Sequence, residues 1–423
     1  MISNSVRVKY SLMLTYFLFA ILLNSVGTVI LQVINGYGVS KEAASVLEGF
    51  KDLPIALVSF MLAAYLPRFG YRNAMMLGTL LVTGVSLLMP LLPVFWMTKV
   101  LFFCVGSAFG LVKVSLYSTV GLISDDKQQH ASIMNTIEGI FMVGVLSGYW
   151  LFGAFIDGDD PASSNWLNVY WCLALLGGLN FLLLWRTPFA NPVPQQSSRP
   201  MEDFLAMLKL ALKPLVLVFV LSAFLYVLIE QGLGTWLPTF NNQVLHLPAD
   251  MSVQATSIFA ACLAIGRLGA GVLMTRINWY VLLNICLLAM AALVLVSMPL
   301  ANLAMPQAQM SWGNAPLAAF VFPLIGLFMA PIYPAINSIM LSSLPKIQHA
   351  AMTGLIVIFS ALGGTTGSMI TGLVFGSFSG QTAFYLSLIP IAAILITLFY
   401  FRQGTLQQSP AAPIRDGSAH TGG

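Results

Sequence analysis

Charged residues are scarce in this sequence. Of its 423 residues, 18 are Lys or Arg and 14 are Asp or Glu, so only 8% carry a charge, whereas 58% are hydrophobic. An average soluble domain has about 25% charged residues, and a soluble chain of this length has too little interior to bury so much apolar surface. The composition excludes a soluble enzyme, a nucleic-acid-binding protein and a disordered chain, and it indicates a protein of the lipid bilayer.

Residues typical of metal and cofactor sites are also few. The glycine-rich run 363–367 resembles a phosphate loop only superficially, and within an apolar segment it indicates close helix packing. The four cysteines lie inside apolar runs, where they are typical of small buried side chains and not of disulfide or metal-binding pairs; they are Cys104, Cys172, Cys262 and Cys286. We therefore expect no metal, no cofactor and no ATP-driven pump.

Long apolar runs are abundant instead. A membrane-spanning helix needs about 20 mostly apolar residues, and the runs between polar, proline and glycine breaks predict twelve of them. In chain order, spans 1 to 12 are 11–35, 43–66, 74–94, 97–123, 131–156, 166–187, 210–240, 251–275, 279–301, 315–343, 350–377 and 381–402. The first run is longer than a signal-peptide core, so we expect it to remain in the protein.

The longest polar stretch between spans divides the chain in two. The pattern predicts an all-α integral membrane protein with twelve transmembrane helices in two pseudo-symmetric six-helix bundles. We predict an N-terminal bundle at 1–187, a cytoplasmic linker at 188–209, a C-terminal bundle at 210–402 and a disordered cytoplasmic tail at 403–423.

Basic residues are unevenly distributed between the two sides of these spans. If the N-terminus is cytoplasmic, thirteen Lys and Arg residues fall on the inner side and only Lys41 and Lys99 fall on the outer side, while three more lie within spans. Because basic loops stay on the cytoplasmic side, we expect a multi-pass protein with both termini in the cytoplasm. In a prokaryote, this would be the inner membrane.

Short motifs recur in the two halves. The sequence QHAS at 129–132 opens span 5 and QHAA at 348–351 opens span 11, and an Ile-Phe pair follows each at nearly the same distance. Basic loops also follow spans 2 and 8. Parallel repeats of this kind place a solute site near the middle of the membrane, between the two halves.

With these features the chain resembles the major facilitator superfamily over essentially its whole length. That family's loop signature is Gly-x-x-x-Asp-Arg-x-Gly-Arg, which Arg68, Gly70 and Arg72 match after span 2 and Arg276 matches after span 8. Pro and Thr occupy the two Asp positions. The resemblance implies a secondary transporter that works as a monomer, contacts membrane lipid, and has a small-molecule solute, and no nucleic acid, as its partner.

Two stretches look like the fucose/glucose/galactose-type proton symporters of that superfamily. They are the pattern Tyr226, Glu230, Gly234 and Trp236 in span 7, and the run GLFMAPIYP at 326–334 in span 10. This resemblance implies coupling to a proton or another cation. The chain departs from these symporters in two places, because Lys113 stands where they carry an acid in span 4, and span 1 has no carboxylate.

Ionisable residues within the spans are the main candidates for function, because each costs about 2.5–3.5 kcal/mol to insert. The candidates for proton coupling are Glu230, Glu138 and Asp52. Each has the alternative role of a structural ion pair between helices, and Arg267 is the nearest candidate partner for Glu230.

Two groups of these charges have a predicted arrangement. Lys113 and Glu138 lie at depths that agree within about 5 Å at ~1.5 Å per residue, so we expect them to pair. Glu48, Lys51 and Asp52 share one helix face near the outer end of span 2, which predicts a solvated outer mouth or an ion pair, with a gate contact or a proton acceptor as the alternative.

The remaining candidates are of two kinds. Gating or structural candidates are Glu48, Lys51, Arg68, Arg72, Arg267 and Arg276. Substrate-binding candidates are amide and aromatic side chains that hydrogen-bond a polyol, and a central ammonium that receives an anionic group; they are Lys113, Asn24, Gln32, Tyr117, Tyr226, Trp236, Tyr333 and Asn337.

These observations support proton-coupled uptake of a sugar or sugar-like solute. One alternative is a transporter of an anionic solute, such as a sugar acid, an organic acid or a siderophore, bound by Lys113. A second alternative is an exporter of amphipathic compounds. No Ser/His/Asp, metal or paired-carboxylate pattern is present in the sequence, so we do not expect an enzyme.

Overall fold

The computed structural model describes residues 4–62, 65–124, 126–189, 207, 209–307, 309–345 and 348–408. Every regular element within those ranges is helical. The predicted linker at 188–209 lies almost entirely outside the described residues. So does the predicted tail from 409 onward, whereas its first residues continue the last helix to Gln408.

The first half of the chain, residues 4–189, forms nine helices within its described part. They are α1 (Asn4–Asn24), α2 (Val26–Tyr37), α3 (Lys41–Ala44), α4 (Leu47–Leu62), α5 (Leu66–Phe69), α6 (Tyr71–Leu88), α7 (Phe95–Ile123), α8 (Lys127–Gly153) and α9 (Val169–Arg186). A 3-10 turn at Ser164–Asn168 leads into α9.

Residues 209–211 are helical, and the second half, residues 209–408, forms nine more helices whose two ends both lie in its described part. They are α10 (Pro214–Gln243), α11 (Ala249–Leu273), α12 (Trp279–Ala301), α13 (Ala318–Val321), α14 (Ile325–Met329), α15 (Ile332–Ser342), α16 (His349–Ser377), α17 (Gly380–Tyr385) and α18 (Leu388–Gln408). A 3-10 turn at Phe322–Leu324 joins α13 to α14.

Ten helical segments of the described chain are long and apolar enough to cross a membrane, and α2 is a shorter apolar helix. They correspond to ten of the predicted spans. The predicted spans 43–66 and 74–94 are not among them. Helix α4 has only 16 residues and includes Glu48, Lys51 and Asp52, and the 18 residues of α6 include the polar Arg72 and Asn73 in the first turn, which lower its mean hydropathy. The total of twelve transmembrane helices therefore stays a prediction.

Polar side chains break the first span where it crosses the protein interior. The Asn24 amide donates to the Ala20 carbonyl at 2.9 Å, and the Ser25 hydroxyl donates to the Leu22 carbonyl at 2.8 Å. Such bonds back to the preceding turn bend a helix, and they separate α1 from α2. As a result, backbone groups near Leu23 are open to other partners.

The two halves share one packing pattern. In the first half, α1 packs on α8, α4 on α7, and α6 on both α7 and α9. In the second half, α10 packs on α16, α11 on α14, and α12 on both α14 and α18. The packed pairs of the second half therefore correspond one by one, in the order given, to those of the first half. The motif QHAS opens α8 and QHAA opens α16, so the sequence repeat marks equivalent helices.

Contacts between the halves lie toward one end of the described helices. There α2 meets α10, α3 and α4 meet α16, and α8 meets α11. The Asn35 amide donates to Asn242 Oδ1 at 3.5 Å, and the Ser368 hydroxyl donates to the Ser45 carbonyl at 3.4 Å. At the same end, the Trp150 ring stacks on the ring of Trp312 with centroids 6.3 Å apart. We call this the closed end.

Candidate functional site

A cavity of about 350 Å³ lies between the halves, next to the closed end. Its walls come from α1, α2, α4, α7 and α8 of the first half and from α10 and α11 of the second. Six of the seven ionisable residues that the sequence places within spans line it, namely Glu48, Lys51, Asp52, Lys113, Glu230 and Arg267. The remaining one, Glu138, is not part of the lining.

Three of these charges form a buried cluster on α4. The Lys51 ammonium forms ion pairs with Glu48, one turn before it, and with Asp52 at 3.4 Å. Glu48 has no exposed surface, and Lys51 and Asp52 are 6% and 9% exposed. Of the two arrangements predicted for these residues, the structure has the ion pair and not the solvated outer mouth. A role as a gate contact or a proton acceptor stays a prediction. The halves close over this part of α4, so its sequence position near a span end does not expose it.

The break between α1 and α2 and a glycine in α7 make room for this cluster. Lys51 Nζ lies 3.5 Å from the Leu23 carbonyl, which precedes the break. A Cβ on Gly106 would overlap the Lys51 carbonyl oxygen, so α7 can approach α4 this closely only with glycine there. Backbone and side chain of Lys51 are thus both fixed by neighbouring helices.

The α4 cluster also contacts the second half. The Thr235 hydroxyl on α10 lies 3.0 Å from Glu48 Oε2 and 3.2 Å from Gln231 Oε1. A Cβ on Gly27 would overlap the Thr235 carbonyl oxygen, and one on Gly364 would overlap Asp52 Oδ2. These contacts form the floor of the cavity at the closed end.

Glu230 and Arg267 form a second, looser ion pair on the opposite wall. Arg267 Nη2 lies 3.6 Å from Glu230 Oε1, and the two side chains are 46% and 19% exposed. The alternative role predicted for Glu230, a pair with Arg267, is present in this conformation. Because the Arg267 side chain is so exposed, it marks the side of the cavity away from the closed end.

Lys113 lines the same cavity without an ion-pair partner among the described residues. The expected pair with Glu138 does not form, since the only described carboxylates within 4.0 Å of a Lys or Arg nitrogen are those of Glu48, Asp52 and Glu230. The Lys113 ammonium lies instead 5.9 Å from the ring centroid of Phe109, one helical turn away. The two residues share a depth, but their side chains point to different neighbours.

Glu138 belongs to a tyrosine cluster outside the cavity. The Tyr117 hydroxyl donates to Glu138 Oε1 at 2.7 Å, the Tyr16 hydroxyl lies 3.4 Å from the same oxygen, and the two hydroxyls are 3.0 Å apart. Hydrogen bonds to a carboxylate replace the ion pair that the sequence predicted. Tyr117, a substrate-binding candidate, is therefore a partner of Glu138 in this conformation.

The other substrate-binding candidates are scattered. Asn24 lines the cavity, whereas Gln32 is buried in α2 and its Nε2 atom has no hydrogen-bond partner in the described part of the chain. Trp236 is fully buried and donates to the Ser368 carbonyl at 3.0 Å, which joins α10 to α16.

A second group lies behind the cavity wall, where the Tyr226 side chain forms a hydrogen bond with Glu230. Tyr226 stacks on Tyr333 with ring centroids 5.4 Å apart, and the Tyr333 hydroxyl lies 2.9 Å from Ser360 Oγ. Asn337 follows one turn later on α15, and its Oδ1 atom is buried without a hydrogen-bond partner in the described ranges. Neither these residues nor Trp236 contributes to the cavity wall.

The basic loop residues lie away from the cavity. Arg72 donates to the carbonyl groups of Leu184, at 2.9 Å, and of Trp185, at the end of α9. The last carbonyls of a helix lack partners within it, so Arg72 fixes α9 to the start of α6. Arg68 and Arg276 are exposed.

Some lining residues escaped the sequence analysis. Gln231, Thr235 and Tyr149 contribute polar atoms to the cavity, and Tyr16 holds Glu138. Gln231 and Thr235 lie within the span 7 pattern around Glu230, and this position was the one feature of the sequence that could have identified them. Nothing in the sequence distinguished Tyr16 or Tyr149 from the many aromatic residues at helix–lipid boundaries.

Comparison with known proteins identifies the family of this chain. The model of the Major Facilitator Superfamily matches residues 12–368, and no curated protein sequence matches the chain. A bacterial homologue of the human lysosomal transporter Spinster, in an inward-facing and occupied conformation, aligns with TM-score 0.76 at 15% identity, over 97% of this chain and 100% of its own.

Two sugar transporters have the same fold. A D-xylose-proton symporter aligns with TM-score 0.67 at 15% identity, over 93% of this chain and 97% of its own. The E. coli fucose:proton symporter FucP, in the outward conformation, aligns with TM-score 0.60 at 16% identity, over 94% and 99%. At these identities the likeness concerns the fold alone.

Proposed function

Because the chain belongs to the Major Facilitator Superfamily, we propose that it is a secondary active transporter which moves a small polar solute by alternating access. Its twelve transmembrane helices form two six-helix bundles, residues 1–187 and 210–402. The repeated packing pattern of the two halves supports this division. The cavity between them is the solute site, as expected for parallel repeats.

The conformation fits one step of that cycle. With both termini in the cytoplasm, as the basic residues predict, the closed end faces outward and the cavity opens toward the cytoplasm. Contacts such as Asn35 with Asn242 then form the outer gate. The high TM-score with an inward-facing transporter is in keeping with this assignment.

The main support for this function is the Glu230–Arg267 ion pair on the cavity wall. Glu230 is the proton site in this proposal. Protonation removes its charge, breaks the pair and leaves the guanidinium uncompensated in the same cavity as Lys113. A proton and an acidic solute then favour each other's binding, and this reciprocal coupling is what proton-driven uptake requires.

Replacement of Glu230 tests this step. In proteoliposomes, Glu230→Gln should abolish accumulation driven by a proton gradient and retain exchange of solute between the two sides, because the neutral side chain mimics the protonated state. Glu138→Gln is the matched control, since it removes another carboxylate from within a span, one that does not line the cavity. Normal accumulation by Glu230→Gln would contradict the assignment.

Two solute classes fit the transporter. Neighbours of the same fold transport fucose and xylose together with protons, which favours a sugar. Lys113 has no ion-pair partner in the described part of the chain, and its place in the cavity wall favours a solute with an acidic group. The predicted polyol-binding residues Trp236 and Tyr333 are not in that wall. We therefore favour an acidic group over a neutral sugar.

Ligand-induced thermal stabilisation distinguishes the two classes. A solute that binds the folded state raises its stability by RT ln(1 + [L]/Kd), so even millimolar binders are detectable at high concentration. Stabilisation by solutes with a carboxylate, lost in Lys113→Gln and kept in Lys99→Gln, supports the acidic class. Stabilisation by neutral hexoses that is equal in both variants supports the sugar.

A further inference from the structure

The charges around the cavity are separated by sign. Lys51 pairs with two carboxylates, so the α4 cluster of Glu48, Lys51 and Asp52 has one negative charge in excess when all three are ionised. Glu230 and Arg267 neutralise each other. Lys113 contributes a positive charge that no described carboxylate contacts within 4.0 Å, and Glu138 acts on it only at longer range. The charges of the six ionisable lining residues sum to zero, but the excess negative charge and the excess positive charge lie in two different places.

These places are too far apart along the helices to neutralise each other by contact. The Lys51 backbone packs on Gly106 of α7, and Lys113 lies seven residues further along the same helix, which is about 10 Å at 1.5 Å per residue. The α4 cluster lies at the closed end and Lys113 lies farther from it. A solute between them meets an excess negative charge on one side and an excess positive charge on the other.

We infer that the transported solute is a zwitterion of amino-acid or short-peptide size. Its cationic group lies toward Glu48 and Asp52 at the closed end, and its anionic group lies toward Lys113. The inference rests on the proposed transport function and names the substrate class of that same cavity.

Other solute classes leave a charge without a partner. A neutral polyol leaves both excess charges uncompensated when the cavity closes, and buried charges without partners are costly. A simple anion pairs with Lys113 but leaves the excess negative charge of the α4 cluster without a partner. A zwitterion compensates both, and the flexible four-carbon stem of Lys113 allows its ammonium to approach solutes of different length.

The binding experiment uses the purified full-length protein and removes one solute charge at a time. Common amino acids, dipeptides, hexoses and hexuronic acids are screened by thermal stabilisation, followed by calorimetric determination of Kd. For the best-binding zwitterion, esterification removes the anionic group and N-acetylation removes the cationic group. We expect each derivative to bind at least tenfold more weakly than its parent.

Two variants assign the two ends. Asp52→Asn should weaken binding of the zwitterion at least tenfold but leave binding of the N-acetyl derivative unchanged. Lys113→Gln should weaken binding of the zwitterion but leave binding of the ester unchanged. Asp52→Glu and Lys113→Arg should retain binding. Asp159→Asn and Lys99→Gln are the matched controls. Asp159 is exposed, Lys99 lies over the rings of Phe50 and Phe95, and neither residue lines the cavity.

The outcomes separate this inference from the transport proposal. Uptake of hexoses or simple anions with no preference for zwitterions would overturn the inference and leave the transporter intact. Unchanged zwitterion binding by Asp52→Asn, with altered pH dependence only, would show that a proton and not the solute neutralises the α4 cluster, and would also overturn it. Failure of the folded wild-type protein to bind or transport any solute of the panel would count against both.

Discussion

The two walls of the cavity hold their charges in different ways. On the first-half wall, Lys51 is buried between two carboxylates and in contact with the Leu23 carbonyl. On the second-half wall, Glu230 and Arg267 are 3.6 Å apart and partly exposed. The first arrangement is fixed by packing, whereas the second can break at low cost. A cavity that binds a solute and responds to protons needs both, because a rigid cluster gives selectivity and a loose pair can change its charge.

The largest expected effect is the loss of Lys51. Lys51→Met leaves Glu48 and Asp52 buried without a counter-charge, and breaking a buried pair in this way costs about 3–5 kcal/mol. Arg267→Met removes the corresponding base of the other wall and should cost only about 0–1 kcal/mol, because exposed pairs are screened by water. Denaturation in detergent measures both. Equal destabilisation by the two variants would show that the ion pairs of the two walls are equally important for stability, which would contradict this prediction.

An intermediate effect is expected at the contact between the walls. Gly27→Ala places a methyl group against the Thr235 carbonyl, and overpacking of this kind costs about 1–3 kcal/mol. The closed end should therefore open more often. The measurement is the oxidative crosslinking yield of a pair introduced by Asn35→Cys and Asn242→Cys, determined by mass spectrometry.

The yield should fall in the Gly27→Ala background and stay unchanged with Gly178→Ala. A Cβ on Gly178 meets no atom within 4 Å, so this control carries the same substitution without the overlap. An unchanged yield with Gly27→Ala would show that α2 and α10 do not limit closure at this end.

The smallest effect is expected outside the cavity. Tyr117→Phe removes the 2.7 Å hydrogen bond to Glu138, and because Tyr16 still reaches the same carboxylate, the loss should be about 1 kcal/mol. Solute affinity should not change. Tyr65→Phe, at an exposed position, is the control. A loss of affinity in Tyr117→Phe would place Glu138 in the solute site and not in a structural cluster.

The sequence predicted which residues form the site better than it predicted how they are arranged. Inserting a charge into a membrane is costly, so the ionisable residues within apolar runs were conspicuous, and six of the seven line the cavity. The pairing of Lys113 with Glu138 was wrong, because residue spacing gives depth along a helix but not the direction in which each side chain points. Glu138 faces two tyrosines, and Lys113 faces Phe109 and the cavity.

The error over Glu48, Lys51 and Asp52 has a related cause. Their position near the end of a predicted span suggested exposure to water. Sequence distance from a span end does not show that α2, α10 and α16 close over that end, or that Gly106 and Gly364 allow α7 and α16 to approach the cluster. Burial there depends on contacts between residues hundreds of positions apart.

The sequence by itself determined that this is a helical membrane protein with a repeated organisation, because hydrophobic length and charge placement are local properties that the bilayer selects directly. Only the tertiary structure decided which charges meet, which remain unpaired and which end of the cavity is closed. Those outcomes depend on helix rotation, on the break between α1 and α2 and on the contact between the two halves. None of them is encoded in the spacing of residues within a single helix.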